Sequence, residues 1–476
     1  EAYSSRSGWQ WSDVWRLPLD GSPIGLAAKN PGNVGEWLAD GSGRVRLALA
    51  IQGATQELRR SPTEPGGAWT TIMTLDFRRD PARLLALSTD GQRAWVAARM
   101  GRDTRGVYEV DLLAQRIARA RWTDAEFDFD GTVAVLGNQL IGVNFEAERP
   151  LTTWVSPEME RVWSSVNAPG QPREFSADGR RGLFYETRDR LPGQWWLVDR
   201  DGGSARVVTV NEVPRSPEGQ LMMPVAWIAR DGIPLHGYIT RPTQGNGVKP
   251  PLAVMVHGGP WTRDTWGWQP EVQFLADRGW AVLQVNYRGS TGFGWDFQRL
   301  GAGHWNIAVN DLADGARWVV AQGWAHPERL VVVGASFGGF LSAMALTRAE
   351  EPFRAAASLG GVFDLPQWLR QASQREPRFV IAAQRAWIYG DERPAAEAVF
   401  VPPRGIRDPL LLIHARDDDR VAFDQSAEFA EELRDLRIPV AFVVVPSGGH
   451  TFGQPEERAR LWEQVEAFLR REVESR

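Results

Sequence analysis

Val331-Val332-Val333-Gly334-Ala335-Ser336-Phe337-Gly338-Gly339 decides the reading of this 476-residue chain. Three β-branched residues predict a buried strand, and the Ala-, Leu- and Met-rich run from Phe340 to Arg348 predicts a helix after it. A Gly-x-Ser-x-Gly between strand and helix is the pattern of a nucleophile elbow. The turn is too tight for side chains at Gly334 and Gly338, and it lifts a serine hydroxyl above the sheet. Taken alone, the pentapeptide is equally compatible with a Gly-rich loop carrying an incidental serine. The flanking strand and helix favour the elbow.

Working outward, the segment from about residue 226 alternates between two periods. Ala226 to Ala229 and Leu235 to Ile239 predict a hairpin around Arg230-Asp231-Gly232. Strands are predicted at Leu252 to Val256, Ala281 to Val285, Leu330 to Val333, Ala355 to Leu359, Leu410 to Ile413 and Val440 to Val445. Helices are predicted at Glu271 to Asp277, Asp311 to Gln322, Phe340 to Arg348, Ser426 to Leu436 and Glu456 to Arg470. Such alternation predicts a doubly wound, mostly parallel sheet with its chemistry at the carboxyl ends of the strands.

The candidate site residues stand at those ends. Asp417-Asp418-Asp419-Arg420-Val421 follows one predicted strand, and Ser447-Gly448-Gly449-His450 follows the last, giving the chain order Ser, Asp, His of an α/β-hydrolase. A serine hydroxyl is a poor nucleophile at neutral pH. Ser336 therefore needs His450 to take its proton, and His450 needs a carboxylate to fix its tautomer and stabilise the imidazolium. A lone histidine in a Gly-rich loop is more often a solvated surface residue, but its position behind the other two motifs reverses that preference. His257-Gly258-Gly259-Pro260 follows the Leu252 to Val256 strand. Backbone N–H groups of Gly258 or Gly259, with that of Phe337 after the nucleophile, are the candidate oxyanion donors.

The first half reads differently. Asp-Gly turns at Asp40-Gly41, Asp90-Gly91, Asp130-Gly131 and Asp178-Gly179 recur every 40 to 50 residues among short β-type segments such as Ala94 to Ala98 and Gly182 to Glu186. That period, built only of strands, predicts β-propeller blades. The expectation for residues 1–212 is an all-β propeller of four blades plus the outer half of a fifth, incomplete on its N-terminal side. The Pro-, Ser- and Gly-containing segment Pro214 to Gly219 marks an interdomain crossing. The boundary is set at about residue 213, with 213–476 as the α/β-hydrolase catalytic domain.

Composition removes several alternatives. A net charge of -5 offers no basic surface for nucleic acid, and the sequence contains no apolar run long enough to span a membrane. The chain has no cysteine, hence no disulfide and no thiolate metal site. No metal or cofactor is called for. The start Glu1-Ala2-Tyr3 has neither an initiator Met nor an apolar signal region, so a processed or partial chain is expected. The reading is of a soluble protein whose compartment, cytoplasmic or periplasmic/secreted, stays undecided, as does homo-oligomerisation.

Together, Gly334 to Gly339, His257 to Pro260, Asn286-Tyr287-Arg288-Gly289-Ser290-Thr291-Gly292-Phe293-Gly294 and Asp418 to Val421 resemble the prolyl oligopeptidase family of serine peptidases, especially the acylaminoacyl peptidases and bacterial dipeptidyl aminopeptidases. The resemblance covers residues 213–476, and a propeller before the hydrolase is that family's architecture. It implies Asp418 as the catalytic acid, three residues before Val421. It also implies Arg420, with Val421, as substrate-binding candidates. The family usually has Tyr after the nucleophile, where this chain has Phe337. The implied activity is hydrolysis of short peptides near their N-termini through an acyl-enzyme on Ser336. The alternatives are a carboxylesterase with the same triad and an inactive, propeller-bearing interaction protein.

Overall fold

The computed structural model describes residues 11–62, 67–166, 168–202, 204–208, 219–243, 248–259, 261–348, 350–376, 378–390 and 399–474. The chain divides into two units. One comprises Glu1–Thr187, Gly193–Asn211 and Gly292–Trp295, and the other comprises Arg188–Pro192, Glu212–Thr291 and Asp296–Arg476. The boundary expected near residue 213, the Pro214 to Glu218 part of the crossing, and Trp9 lie outside the described residues.

Short strands with one apolar face cannot bury themselves alone, so in the first unit they form small antiparallel sheets that pack in series. A hairpin, Val14–Arg16 with Gly25–Ala28, precedes sheets spanning Val34–Asp76, Arg83–Trp122, Thr132–Trp154 and Gln171–Val207. These hold four, four, three and four strands. Alternation along Arg93–Ala98 shows how they are joined. Ala94 and Val96 pack toward Leu47, Leu49 and Leu58 of the preceding sheet, whereas Trp95 packs toward Leu140, Val143 and Phe145 of the next. The Arg83–Trp122 and Thr132–Trp154 sheets thus bury both faces against their neighbours, which is propeller-blade packing.

The repeated turn has a specific chemistry. Ser88 Oγ and Ser176 Oγ donate to Asp90 and Asp178 at 2.5 and 2.6 Å, and the following glycines, Gly91 and Gly179, both sit at φ 65°. A nine-residue helix, Pro157–Ser165, interrupts the all-β expectation. Ser156 caps it by accepting from Met159 N–H at 3.4 Å, Pro157 occupies its first turn, and Trp163 is buried beside Phe175 and Phe184.

In the second unit eight strands make one sheet: β1 Met222–Ile228, β2 Pro234–Thr240, β3 Leu252–Val256, β4 Ala281–Asn286, β5 Leu330–Ala335, β6 Ala355–Leu359, β7 Leu410–Ala415 and β8 Val440–Val445. Their spatial order is β1-β2-β4-β3-β5-β6-β7-β8. The β1–β2 and β2–β4 pairs are antiparallel and the rest parallel. Apolar residues face both ways, as a sheet covered on both sides requires. Val254, Leu283, Val332 and Leu412 pack with the helices Trp305–Ala321, Phe337–Ala345 and Asp424–Asp435. Ala253, Val282, Val331 and Ile413 pack with Pro270–Asp277 and Pro455–Glu474. The architecture is an α/β-hydrolase preceded by propeller-type sheets. Among the described residues of this half, three helices were not anticipated: Gly294–Gly301, Leu365–Ala372 and Arg378–Tyr389.

Candidate active site

Strand β5 ends at Ala335 and the next helix starts at Phe337, so Ser336 alone must turn the chain. It does so at φ 56° and ψ −122°, a conformation that costs an L residue on the order of 1–3 kcal/mol and persists only where its surroundings impose it. Those surroundings are backbone. A Cβ on Gly338 would run into the Val256 carbonyl, and one on Gly334 into Gly338 itself, so only glycine lets the helix descend so steeply. The Ser336 N–H donates to the Leu359 carbonyl at 2.9 Å, tying the elbow to β6. As the first helical residue, Phe337 has an N–H with no intrahelical acceptor.

The loop after β3 lies against this turn. A Cβ on Gly258 would sit 3.5 Å from Ser336 Cβ, and one on Gly259 3.9 Å from the Phe337 ring. His257 shapes the loop from behind. Its ring stacks on Tyr287 with centroids 4.4 Å apart, its Nδ1 donates to the Gly258 carbonyl at 2.7 Å, and its Nε2 meets the Ser290 hydroxyl at 2.9 Å. Burial pushes this imidazole down to about 4, so it is neutral at physiological pH. Tyr287 is fixed in turn by its neighbour Arg288, whose N–H and guanidinium bind the buried Asp311 at 2.8 and 3.0 Å. The Tyr287 to Ser290 part of that motif thus acts as a brace for the glycine loop. Pro260 lies outside the described residues.

Parallel register brings the other strand ends level with the elbow: Ala335 pairs with Leu359, Leu359 with Ile413, and Ala415 with Val445. At that edge Asp418 Oδ2 accepts from His450 Nδ1 at 2.8 Å. A Cβ on Gly360, the residue after Leu359, would lie 3.3 Å from Asp418 Oδ2 and 3.6 Å from His450 Nδ1, which sets the pair beside the strand that anchors Ser336. Asp418 Oδ1 accepts the N–H groups of Arg420 and Val421, each at 2.9 Å. Burial alone would raise the Asp418 carboxyl, but hydrogen bonds from His414, His450 and Val421 outweigh it and hold the group well below the usual carboxylate range. With Nδ1 on the carboxylate, His450 leaves Nε2 for proton transfer. The structure therefore bonds the second and third candidates together, and sets the first at the end of β5, with only β6 between it and the strand that leads to Asp418. Arg420 projects into solvent, whereas the Val421 side chain is buried in the core.

Residues 266–476 match the prolyl oligopeptidase family. Over 97% of its length this chain is 28% identical to dipeptidyl aminopeptidase BIII of Pseudoxanthomonas mexicana, and it spans 69% of that protein. It is also 28% identical to the human acylamino-acid-releasing enzyme, over 46% of this chain and 31% of that enzyme. A solved puromycin hydrolase shares the fold with a TM-score of 0.79 at 22% identity, covering 98% of this chain and 74% of that one.

Around the elbow, sequence reasoning missed several supporting residues. Asp417 accepts from the N–H groups of Gly448 and Gly449, both at 2.9 Å, and so fixes the turn that carries His450. Trp368 Nε1 donates to the Arg420 carbonyl at 3.1 Å, and Arg375 donates to that of Asp419, so the helix at Leu365–Ala372 and the turn after it hold the acid loop. The signal for that helix was present: Asp364 is its N-cap, accepting from Gln367 N–H at 2.7 Å, with Pro366 in the first turn.

Proposed function

We propose that this chain hydrolyses short peptides near their N-termini through an acyl-enzyme on Ser336. The observation that carries the reading is the Asp418–His450 hydrogen bond at the strand edge beside a serine held at positive φ. Ser336 Oγ attacks the scissile carbonyl while His450 Nε2 takes its proton, and Asp418 steadies the imidazolium. The oxyanion forms between the N–H of Phe337 and one from Gly258 or Gly259. His450 then gives its proton to the leaving amine, a water enters, and the same relay in reverse frees the acid and restores Ser336. Arg420, exposed beside the acid, is the substrate-contacting candidate. Val421 serves through its N–H on Asp418.

We read residues 1–212 as the propeller and 213–476 as the catalytic domain, supported by the series of small sheets in the one and the single eight-stranded sheet in the other. Among the described residues, no helix is long and apolar enough to cross a membrane, and no group of three or more metal-binding side chains is assembled. The test is a panel of acyl-peptide, aminoacyl and dipeptidyl chromogenic amides alongside simple esters. Amide turnover that depends on Ser336 supports the reading. Turnover of esters alone identifies a carboxylesterase, and no turnover of either leaves an interaction protein.

A further inference from the structure

Asp418 serves two histidines, and only one of them belongs to the triad. On the far side of Oδ2 from His450 lies His414, at the end of β7 and fully buried, with Nε2 3.2 Å from Asp418 Oδ2 and 3.0 Å from the Val421 carbonyl. A carbonyl can only accept, so Nε2 carries the proton and donates to both oxygens. The other nitrogen, Nδ1, is 2.7 Å from the hydroxyl of Ser426, itself fully buried on the helix Asp424–Asp435. In the neutral ring that hydroxyl is the donor, which locks the tautomer. The Phe423 ring, edge-on at 5.8 Å, closes the remaining side.

We propose that His414 is a positioning residue for the hydrolytic reaction. It donates permanently to the carboxylate oxygen that orients His450, so that oxygen stays aimed and shares its charge. The other charged groups nearby are Asp417 and Asp419 on the same loop, where the Asp417 carboxylate holds the Gly448 turn and the Asp419 carbonyl accepts from Arg375, and the exposed Arg416 and Arg420. His414, unlike these, touches Asp418 Oδ2 directly. A carboxylate relieved of part of its charge stabilises the His450 imidazolium less.

The inference rests on the triad reading, and its test separates the two. In the wild-type chain with ¹⁵N-labelled histidine side chains, His414 is expected with its proton on Nε2 and Nδ1 bare. A protonated Nδ1 with bare Nε2 would overturn the proposal, and this measurement needs no turnover. In kinetics, His414→Phe should lower kcat about 10–100-fold, the loss of one hydrogen bond to a charged group, with KM nearly unchanged. It should also move the acid limb of the kcat/KM profile to higher pH. His414→Gln places an amide N–H where Nε2–H was and should restore most of kcat and the wild-type profile. Equal losses in both variants with an unmoved acid limb would reduce His414 to a packing residue and refute the proposal. If His414→Phe does not fold, the tautomer and the His414→Gln profile decide.

Discussion

Asp264 offers a quantitative test of the glycine loop's anchorage. It closes the segment that leaves β3 through His257, and it is braced against β4: its N–H donates to Asn286 Oδ1 at 2.8 Å, and its Oδ1 accepts from Gln284 Nε2 at 2.9 Å. The residue as a whole is only half-buried, but Oδ2 is sealed from solvent without a partner. Burial therefore dominates over the Gln284 hydrogen bond and pushes the carboxyl from 3.8 up to about 7. Between those values the folded chain holds a proton that the unfolded chain has released, so stability falls as pH rises through the interval and the cost is complete above about 7. A rise of about three pH units at about 1.4 kcal/mol each amounts to roughly 4 kcal/mol. Asp264→Asn keeps the acceptor for Gln284 and cannot ionise. Its stability relative to wild type should be nearly unchanged at about pH 4 and higher by roughly 2–4 kcal/mol above about pH 8. At roughly 2–4 °C per kcal/mol for a unit of this size, calorimetry should show the variant's transition raised by several degrees in alkali and hardly at all in acid. A difference that does not change with pH, or a variant less stable than wild type at high pH, would refute the reasoning.

Three further outcomes test the site itself. Ser336→Ala should cost about 10⁶ in turnover while leaving the circular dichroism spectrum unchanged, and activity within tenfold of wild type would sink the assignment. Asp418→Asn should lower kcat by roughly 10⁴ through the wrong His450 tautomer. Asp417→Asn should do far less, since its Oδ1 can still accept from Gly448 and Gly449, and Asp419→Asn likewise; a larger loss at either neighbour in the same assay would move the acid. Gly338→Ala should destabilise by several kcal/mol and abolish turnover, because its methyl group would meet the Val256 carbonyl; a soluble variant with normal melting and activity would show that the elbow tolerates a side chain.

The parts legible in the sequence are those where one local rule acts. Leu252–Val256, Ala355–Leu359 and Val440–Val445 have the bounds that their apolar runs predict, because a strand with apolar packing on both faces is a continuous apolar word ended by a turn. The Trp305–Ala321 helix starts six residues before the predicted Asp311. No side chain caps it at His304, and its first turn is held by burial of Trp305 against Phe337 and Trp387, a tertiary contact with no local signature. The helices at Pro157 and Leu365 are a different case, since Ser156-Pro157 and Asp364-Leu365-Pro366 are cap signals that were available to be read.

The candidate site divides in the same way. Ser336, Asp418 and His450 stand out in the sequence as candidates because each stands at a strand end with a motif around it, and the parallel sheet brings such ends together. Whether a carboxylate works alone is set by what converges on it from other elements, and sequence order hides that convergence. His414 looks like the last residue of an apolar strand, yet i to i+4 spacing around the β7 turn puts its Nε2 on Asp418, and Ser426 reaches its other nitrogen from a helix twelve residues on. Asp417 sits next to the acid in sequence but spends its carboxylate on the turn before His450. Three adjacent aspartates thus have three different environments: one sealed under two imidazoles, one exposed and clasping a backbone turn, and one with its carbonyl held by Arg375. Sequence alone gives them the same side chain. Only the fold, by burying one carboxylate under two imidazoles, makes Asp418 the charge that His450 feels.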